Sequence, residues 1–220
     1  MENETVAFTL RELFELGGMV MWPLLAFSII VVFITLERLV FFIYNNRRMD
    51  DITDAVSGYL AQKDSAGAEE YLSGLTKRRM GARILLALVK QSKPEGKRVF
   101  SEHHVERAVE AESAGCITSL EAGMNFLTAL GSLSPLTGFL GTVTGMIGAF
   151  RSIAEAAEVN AQIVANGIYE ALITTVFGLI VAIIAMIAHS ILTHFVDKFA
   201  ADIEKNCSRL ISELVEQNEA

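Results

Sequence analysis

Three stretches of the chain carry no charge for long enough to cross a hydrocarbon layer, which takes roughly 20 residues of helix. Met19 to Leu36 is a run of eighteen uncharged residues, MVMWPLLAFSIIVVFITL, and after Glu37 and Arg38 the apolar character resumes as LVFFIY. Between Glu121 and Arg151 lie 29 uncharged residues, and between Glu170 and Asp197 another 26. At a rise of about 1.5 Å per residue the last two reach ~40 Å, more than the ~30 Å of a hydrocarbon core. A chain of 220 residues is too short to wrap three such helices in protein on all sides, so the pattern predicts three membrane spans. The residues before the first run, MENETVAFTLRELFELGG, are acidic, and the run is long, which sets it apart from a cleaved signal peptide. Val6, Leu10, Leu13 and Phe14 share one helical face there, as suits a short helix lying at a membrane surface.

The remaining segments read as helix, with no strand pattern. ITDAVSGYLAQ, AGAEEYLSGL and ARILLALVKQ are separated by turn signals near Lys63-Asp64 and at Lys93-Pro94-Glu95-Gly96. From Ser101 the polar stretch HHVERAVEAESAGCITSLEAG meets no breaker, which predicts one continuous helix entering the second span. Beyond the third span Val196, Phe199, Ile203, Leu210 and Leu214 recur at helical spacing, the pattern of a tail that packs within a helical bundle. The expected fold is therefore all-α: an integral membrane protein with three transmembrane helices and long helical extensions. Residues 1–18 form an amphipathic segment, 19–43, 121–150 and 166–196 the spans, 44–120 a helical region, 151–165 a short connection and 197–220 a C-terminal helix.

Charge supplies the orientation. Of the 18 Lys and Arg, twelve fall between Tyr44 and Leu120, Arg38 lies at that membrane edge, and Lys198, Lys205 and Arg209 lie in the tail. Only Arg11 and Arg151 fall on the other side, so the positive-inside rule places the middle segment and the tail in the cytoplasm and the N-terminus and the 151–165 connection outside. The net charge of −8 offers no basic surface for nucleic acid. Cys116 and Cys207, with no CxxC and no adjacent His, suggest free structural thiols and no metal. No HExxH, GxSxG or P-loop is present, so neither an enzyme nor a cofactor is expected.

The candidate chemistry lies inside the spans. Gly138, Gly141, Gly145 and Gly148 are spaced three, four, three, one stripe along which another helix can approach closely. Pro135 removes a backbone donor and can kink the span, freeing a carbonyl that Ser134, Ser132 or water can satisfy. The third span has its own small stripe of Ala171, Thr175, Gly178, Ala182 and Ala185, ending near His189. Glu170 stands beside it, with Thr174 one turn later. A carboxylate at the edge of a span is costly unless paired, hydrated or protonated, and by default marks an ion or proton route; the rival reading is a carboxylate just outside the hydrocarbon that caps the span. Thr142, Thr144, Thr174 and Thr175 have a rival reading too, a hydroxyl bonded to its own backbone one turn back. His189 and His194 read as solvated interfacial residues, and Glu37-Arg38 and Trp22-Pro23 as interfacial anchors.

SPLTGFLGTVTGMIGAF followed by GIYEALITTVFGLIVAIIA about twenty residues later resembles the proton-channel family of MotA, TolQ and ExbB, and GGMVMWPLLAFSIIVVFITLERL looks most like ExbB. The resemblance implies a channel and motor subunit of the bacterial inner membrane that uses the proton motive force to energise outer-membrane transport. Its implied partners are further copies of itself in a pentamer, an ExbD-like single-span protein with a membrane Asp, and a TonB-like energy transducer. It places Thr142, Glu170 and Thr175, with Thr174 beside them, along the proton route, and Gly138, Gly141, Gly145, Gly148 and Gly178 in helix packing. Ile184 stands where the family often has a proline, which argues mildly against a flagellar stator of the MotA type. A TolQ-like subunit serving envelope integrity and a non-conducting membrane scaffold are the alternatives.

Overall fold

The computed structural model describes residues 10–45, 49–76, 79–92, 101–155 and 161–219. All elements among them are helices: α1 Leu10–Leu16, α2 Met21–Asn45, α3 Met49–Ala61, α4 Ser65–Leu75, α5 Met80–Ser92, α6 Glu102–Glu121, α7 Met124–Glu155 and α8 Ala161–Glu219. Three helical regions, Met21–Ile43, Glu102–Glu155 and Val164–Glu216, contain stretches long and apolar enough to cross a membrane. The protein is thus an all-α integral membrane protein. The expected turn at Lys93-Gly96 lies outside the described residues.

The chain divides into two compact units, residues 1–36 with 123–190, and residues 37–122 with 191–220. In the first, α7 packs along the first half of α8, and the start of α2 joins them through a small core of Met21, Leu24 and Ile173. Leu13 and Phe14 of α1 pack against that core, and the Phe14 ring meets Trp22 edge-on at 5.3 Å. The apolar face of α1, expected to lie on a membrane surface, therefore has protein as its partner at these two positions; Val6 lies outside the described residues. Large apolar side chains elsewhere point outward, among them Phe33 at 68% exposure on α2, Phe139 at 64% on α7 and Leu172 at 60% on α8. In water this would be an aggregation liability; it is the composition of a surface facing lipid or other apolar helices.

The expected continuous helix into the second span is interrupted. α6 ends at Glu121, Ala122 adopts ψ 129°, Gly123 takes a left-handed φ of 83°, and α7 starts at Met124. A glycine needs no special sequence context to adopt that conformation, so a lone AG dipeptide between helical patterns carried no visible stop signal. α8, in contrast, is unbroken for 59 residues, joining the third span to the tail and beginning within the expected 151–165 connection.

In the second unit α5 lies against α4 and α6, burying Ala82, Ile84, Leu85, Leu88 and Val89. Lys63 (φ 57°) ends α3 at the anticipated turn, and Asp64 caps α4 by accepting the Gly67 N–H at 2.9 Å. Val196, Phe199, Ile203, Leu210 and Leu214 of α8 are all buried here, as their spacing implied. Polar groups tie α3 to the same helix. Asn206 Nδ2 donates to Asp50 Oδ1 at 3.1 Å and to Asp202 O at 2.8 Å, Arg209 Nη1 to Asp54 Oδ1 at 2.9 Å, and Ser57 Oγ to Glu213 Oε2 at 2.7 Å. Arg38, expected to reach toward headgroups, is instead mostly enclosed. Its Nη1 donates to Ser119 O at 3.0 Å, one of the carbonyls left without a helical partner where α6 stops, and its Nε forms an ion pair with Glu37 at 2.9 Å that lacks hydrogen-bond geometry. Cys116 and Cys207 are buried free thiols.

Candidate functional site

The backbones of α7 and α8 come close where the small residues of the two helices coincide. A Cβ placed on Gly138 would lie 2.8 Å from Thr174 O and 3.4 Å from Gly178 Cα, and one placed on Gly178 would lie 2.6 Å from Ser134 O and 3.1 Å from Gly138 Cα. Neither position has room for any side chain, because the obstacles are backbone atoms that cannot step aside. The seam continues through Gly145, whose Cβ would meet Gly167 O at 3.2 Å and Ala171 N at 3.3 Å, and Gly167 in turn faces Ala149. Gly148, the fourth glycine of the stripe, has nothing within 4 Å of such a Cβ.

This proximity brings hydroxyls to a carbonyl. Thr174 is fully buried; its Oγ1 donates to Ala171 O at 2.9 Å, one turn back, and reaches Gly138 O across the seam at 3.3 Å. Thr175 Oγ1 reaches the same Gly138 O at 3.5 Å. In the regular α-helical ladder Gly138 O also pairs with the Thr142 N–H, so one carbonyl gathers donors from both helices. A Cβ on Gly141 would collide with the Thr174 side chain, Cβ at 2.6 Å and Cγ2 at 2.9 Å, so the hydroxyl reaches α7 because two successive stripe positions there lack side chains.

The sequence-derived candidates do not gather at one point. Thr174 and Thr175 meet at Gly138 O, whereas Thr142 Oγ1 donates to Phe139 O at 2.7 Å and Thr144 Oγ1 to Leu140 O at 3.0 Å, the local pattern of a threonine in a membrane helix. Ser134 and Ser132 also bond locally, to Leu130 O at 2.6 Å and Thr128 O at 3.1 Å, so neither hydroxyl serves the carbonyl that Pro135 leaves free. Glu170 lies off the stripe of Gly167, Ala171, Thr174 and Gly178. It is partly buried, and its carboxylate rests against Gly18 in the turn between α1 and α2. His189 is partly buried and His194 exposed.

Two features of this arrangement have no clear trace in the sequence. Ser134, whose sequence context points only to the carbonyl freed by Pro135, is fully buried on the extension of the glycine stripe, one turn before Gly138, with its backbone against Gly178. Gly18 was visible only as half of a Gly-Gly pair preceding an apolar run, a turn signal with no hint of which side chain it faces.

Comparison with known proteins gives a consistent result. A family model described as "MotA/TolQ/ExbB proton channel family" matches residues 76–205, more than half of the chain and all of α7. The biopolymer transport protein ExbB-like 1 of Synechocystis sp. is 33% identical over 196 residues, covering 84% of this chain and 72% of that protein. Biopolymer transport protein exbB1 of Vibrio cholerae is 26% identical over 203 residues, covering 89% and 84%. The Tol-Pal system protein TolQ of Pseudomonas aeruginosa is 42% identical over a shorter stretch of 86 residues, 39% of this chain and 37% of that one.

Proposed function

The chain belongs to the MotA/TolQ/ExbB proton channel family, and we propose that it works as an ExbB-like proton-conducting subunit of an inner-membrane energy-transducing complex. In this reading five copies surround the membrane helices of an ExbD-like partner, whose intramembrane Asp takes and releases protons. A TonB-like transducer carries the resulting motion to an outer-membrane transport process. The middle segment and the tail lie in the cytoplasm, with the N-terminus on the periplasmic side.

The observation that carries the reading is the convergence of the Thr174 and Thr175 hydroxyls on Gly138 O in surroundings that are otherwise apolar, with Glu170 one turn before Thr174 on the same helix. Hydroxyls supported by a backbone carbonyl can turn between donor and acceptor roles, which a proton route needs and a purely structural apolar seam does not. The driving energy is charge moved across the membrane, about 2.3 kcal/mol per charge per 100 mV. Protonation of the partner's Asp would select between two states of the assembly by permitting or forbidding contact with these polar groups.

The test is proton flux in proteoliposomes containing this chain and its single-span partner. Glu170→Gln and Thr175→Val should each lower flux strongly while leaving the complex assembled; undiminished flux in both would end the assignment. The TolQ match favours a second reading, the same machinery serving envelope integrity. Complementation distinguishes the two: the ExbB-like role restores energised uptake in a strain lacking its own subunit, the TolQ-like role restores detergent resistance.

A further inference from the structure

We propose that Gly18 is a positioning residue for Glu170: the turn between α1 and α2 forms a seat that only glycine can provide, and the Glu170 carboxylate is held in it. The proposal deepens the proton-route reading above and rests on it for its functional consequence, though not for its geometry.

Gly18 has a φ of 65°, the left-handed region in which an L-side chain is strained. Independently, a Cβ on Gly18 would occupy the space of Glu170 Oε1 and lie 2.9 Å from Glu170 Cδ and 3.6 Å from Cγ. Conformation and space thus exclude a side chain for separate reasons, and the second is the carboxylate itself. The turn is fixed on both sides. Gly17 N–H donates to Leu13 O at 3.1 Å, and Gly18 O accepts the Met21 N–H at 3.3 Å. A Cβ on Gly17 would meet Met21 Sδ at 2.7 Å and Ile173 Cγ2 at 3.4 Å. Ile173 stands three residues after Glu170 on the same helical face, and it belongs to the core of Met21 and Leu24 against which Leu13, Phe14 and Phe177 pack. That core clamps α1 and the start of α2 onto α8 one turn from the carboxylate. Position and reach of Glu170 are therefore set by the α1–α2 turn, and a displacement of α1 is transmitted to the carboxylate through Gly18.

Two measurements test this. The first needs no assumption about protons. Glu170→Ala removes the group that fills the seat and leaves a small side chain that any helix accommodates, and hydrogen exchange at the bonded amides of Gly17, Met21 and Trp22 should then accelerate about tenfold as the turn loosens. Unchanged exchange there overturns the seat. The second is a double-mutant cycle on proton flux. Gly18→Ala should reduce flux about tenfold, because its methyl takes the space of Glu170 Oε1 and displaces the carboxylate. Glu170→Asp, one methylene shorter, draws the carboxylate away from the new methyl, so the double variant should conduct better than Gly18→Ala alone. Gly74→Ala, where a Cβ meets nothing within 4 Å, is the control expected to conduct normally. Strictly multiplicative losses would assign the Gly18→Ala defect to backbone strain alone and overturn positioning. If exchange accelerates while Glu170→Gln conducts normally, the seat stands and Glu170's part in the proton route falls; if Glu170→Gln loses flux and exchange is unchanged, the reverse holds.

Discussion

Thr174 Oγ1 has an acceptor one turn back and another across the seam, and no exposed surface from which water could replace either. Thr174→Val keeps the shape and removes both bonds, leaving Gly138 O with one donor fewer. The expected loss is about 0.6–1.7 kcal/mol, the range for interhelical hydrogen bonds in membranes, read as a lower unfolding midpoint in detergent. Thr174→Ser should retain most of it. At 3.5 Å the corresponding bond from Thr175 is weaker, so Thr175→Val should cost less stability than Thr174→Val even where it costs more flux. Which of two adjacent threonines faces the neighbouring helix was not legible in the sequence. The small stripe could be drawn through Thr175 or Thr174 with equal regularity, and 3.6-residue spacing does not separate neighbours 100° apart. Cys207 was legible as a free structural thiol, and its burial in the structure pushes its pKa from 9.0 up to about 12. Because the folded value is the raised one, the neutral thiol's contribution to stability is whole below pH 9.0 and fades as the pH climbs toward 12. Alkylation of Cys207 by iodoacetamide should accordingly be negligible in the folded protein at pH 9.0 and rapid once it is denatured; comparable rates in both states would contradict the burial.

At the scale of helices, the seam of α7 and α8 depends on bare backbone facing bare backbone at Gly138 and Gly178. Gly178→Leu must separate the helices there. It should abolish a folded, detergent-stable protein, whereas Gly148→Leu, on open surface, should fold with little change, which size-exclusion profiles after heating will show. The spacing of the glycines announced the seam, but not where it ends, because an isolated chain cannot tell from period alone which members of a stripe a partner helix reaches. The break between α6 and α7 was invisible for another reason. Helix propensity is a weak local preference, and a left-handed Gly123 following an extended Ala122 costs the sequence no conspicuous residue. Gly123→Ala would force a Cβ into that conformation. A destabilisation of about 1–2 kcal/mol is expected in thermal unfolding of the purified protein. No loss would mean that the helix can run straight through.

For the molecule as a whole, three apolar runs and the placement of basic side chains made the membrane class readable at once, since hydrocarbon admits few backbone solutions. What the sequence kept hidden was the company each segment keeps across long separations: Leu13 and Phe14 with Ile173, Arg38 with Ser119, Asp54 with Arg209. Such contacts have no local periodic trace. The ties from α3 to Asn206, Arg209 and Glu213 carry a consequence for how the protein is made. The second unit is assembled from residues 37–122 and 191–220, so its two portions leave the ribosome on either side of everything between them. During synthesis α3 must wait, with Asp50, Asp54 and Ser57 lacking their later partners Asn206, Arg209 and Glu213, until the intervening stretch has been inserted. That interval is a window for chaperones and proteases, and a chain halted after Ser190 should be degraded far faster than one that carries residues 191–220 in a pulse-chase experiment. On that expectation, survival of the early helices depends on synthesis of residues 191–220, which follows that of the membrane segments between them.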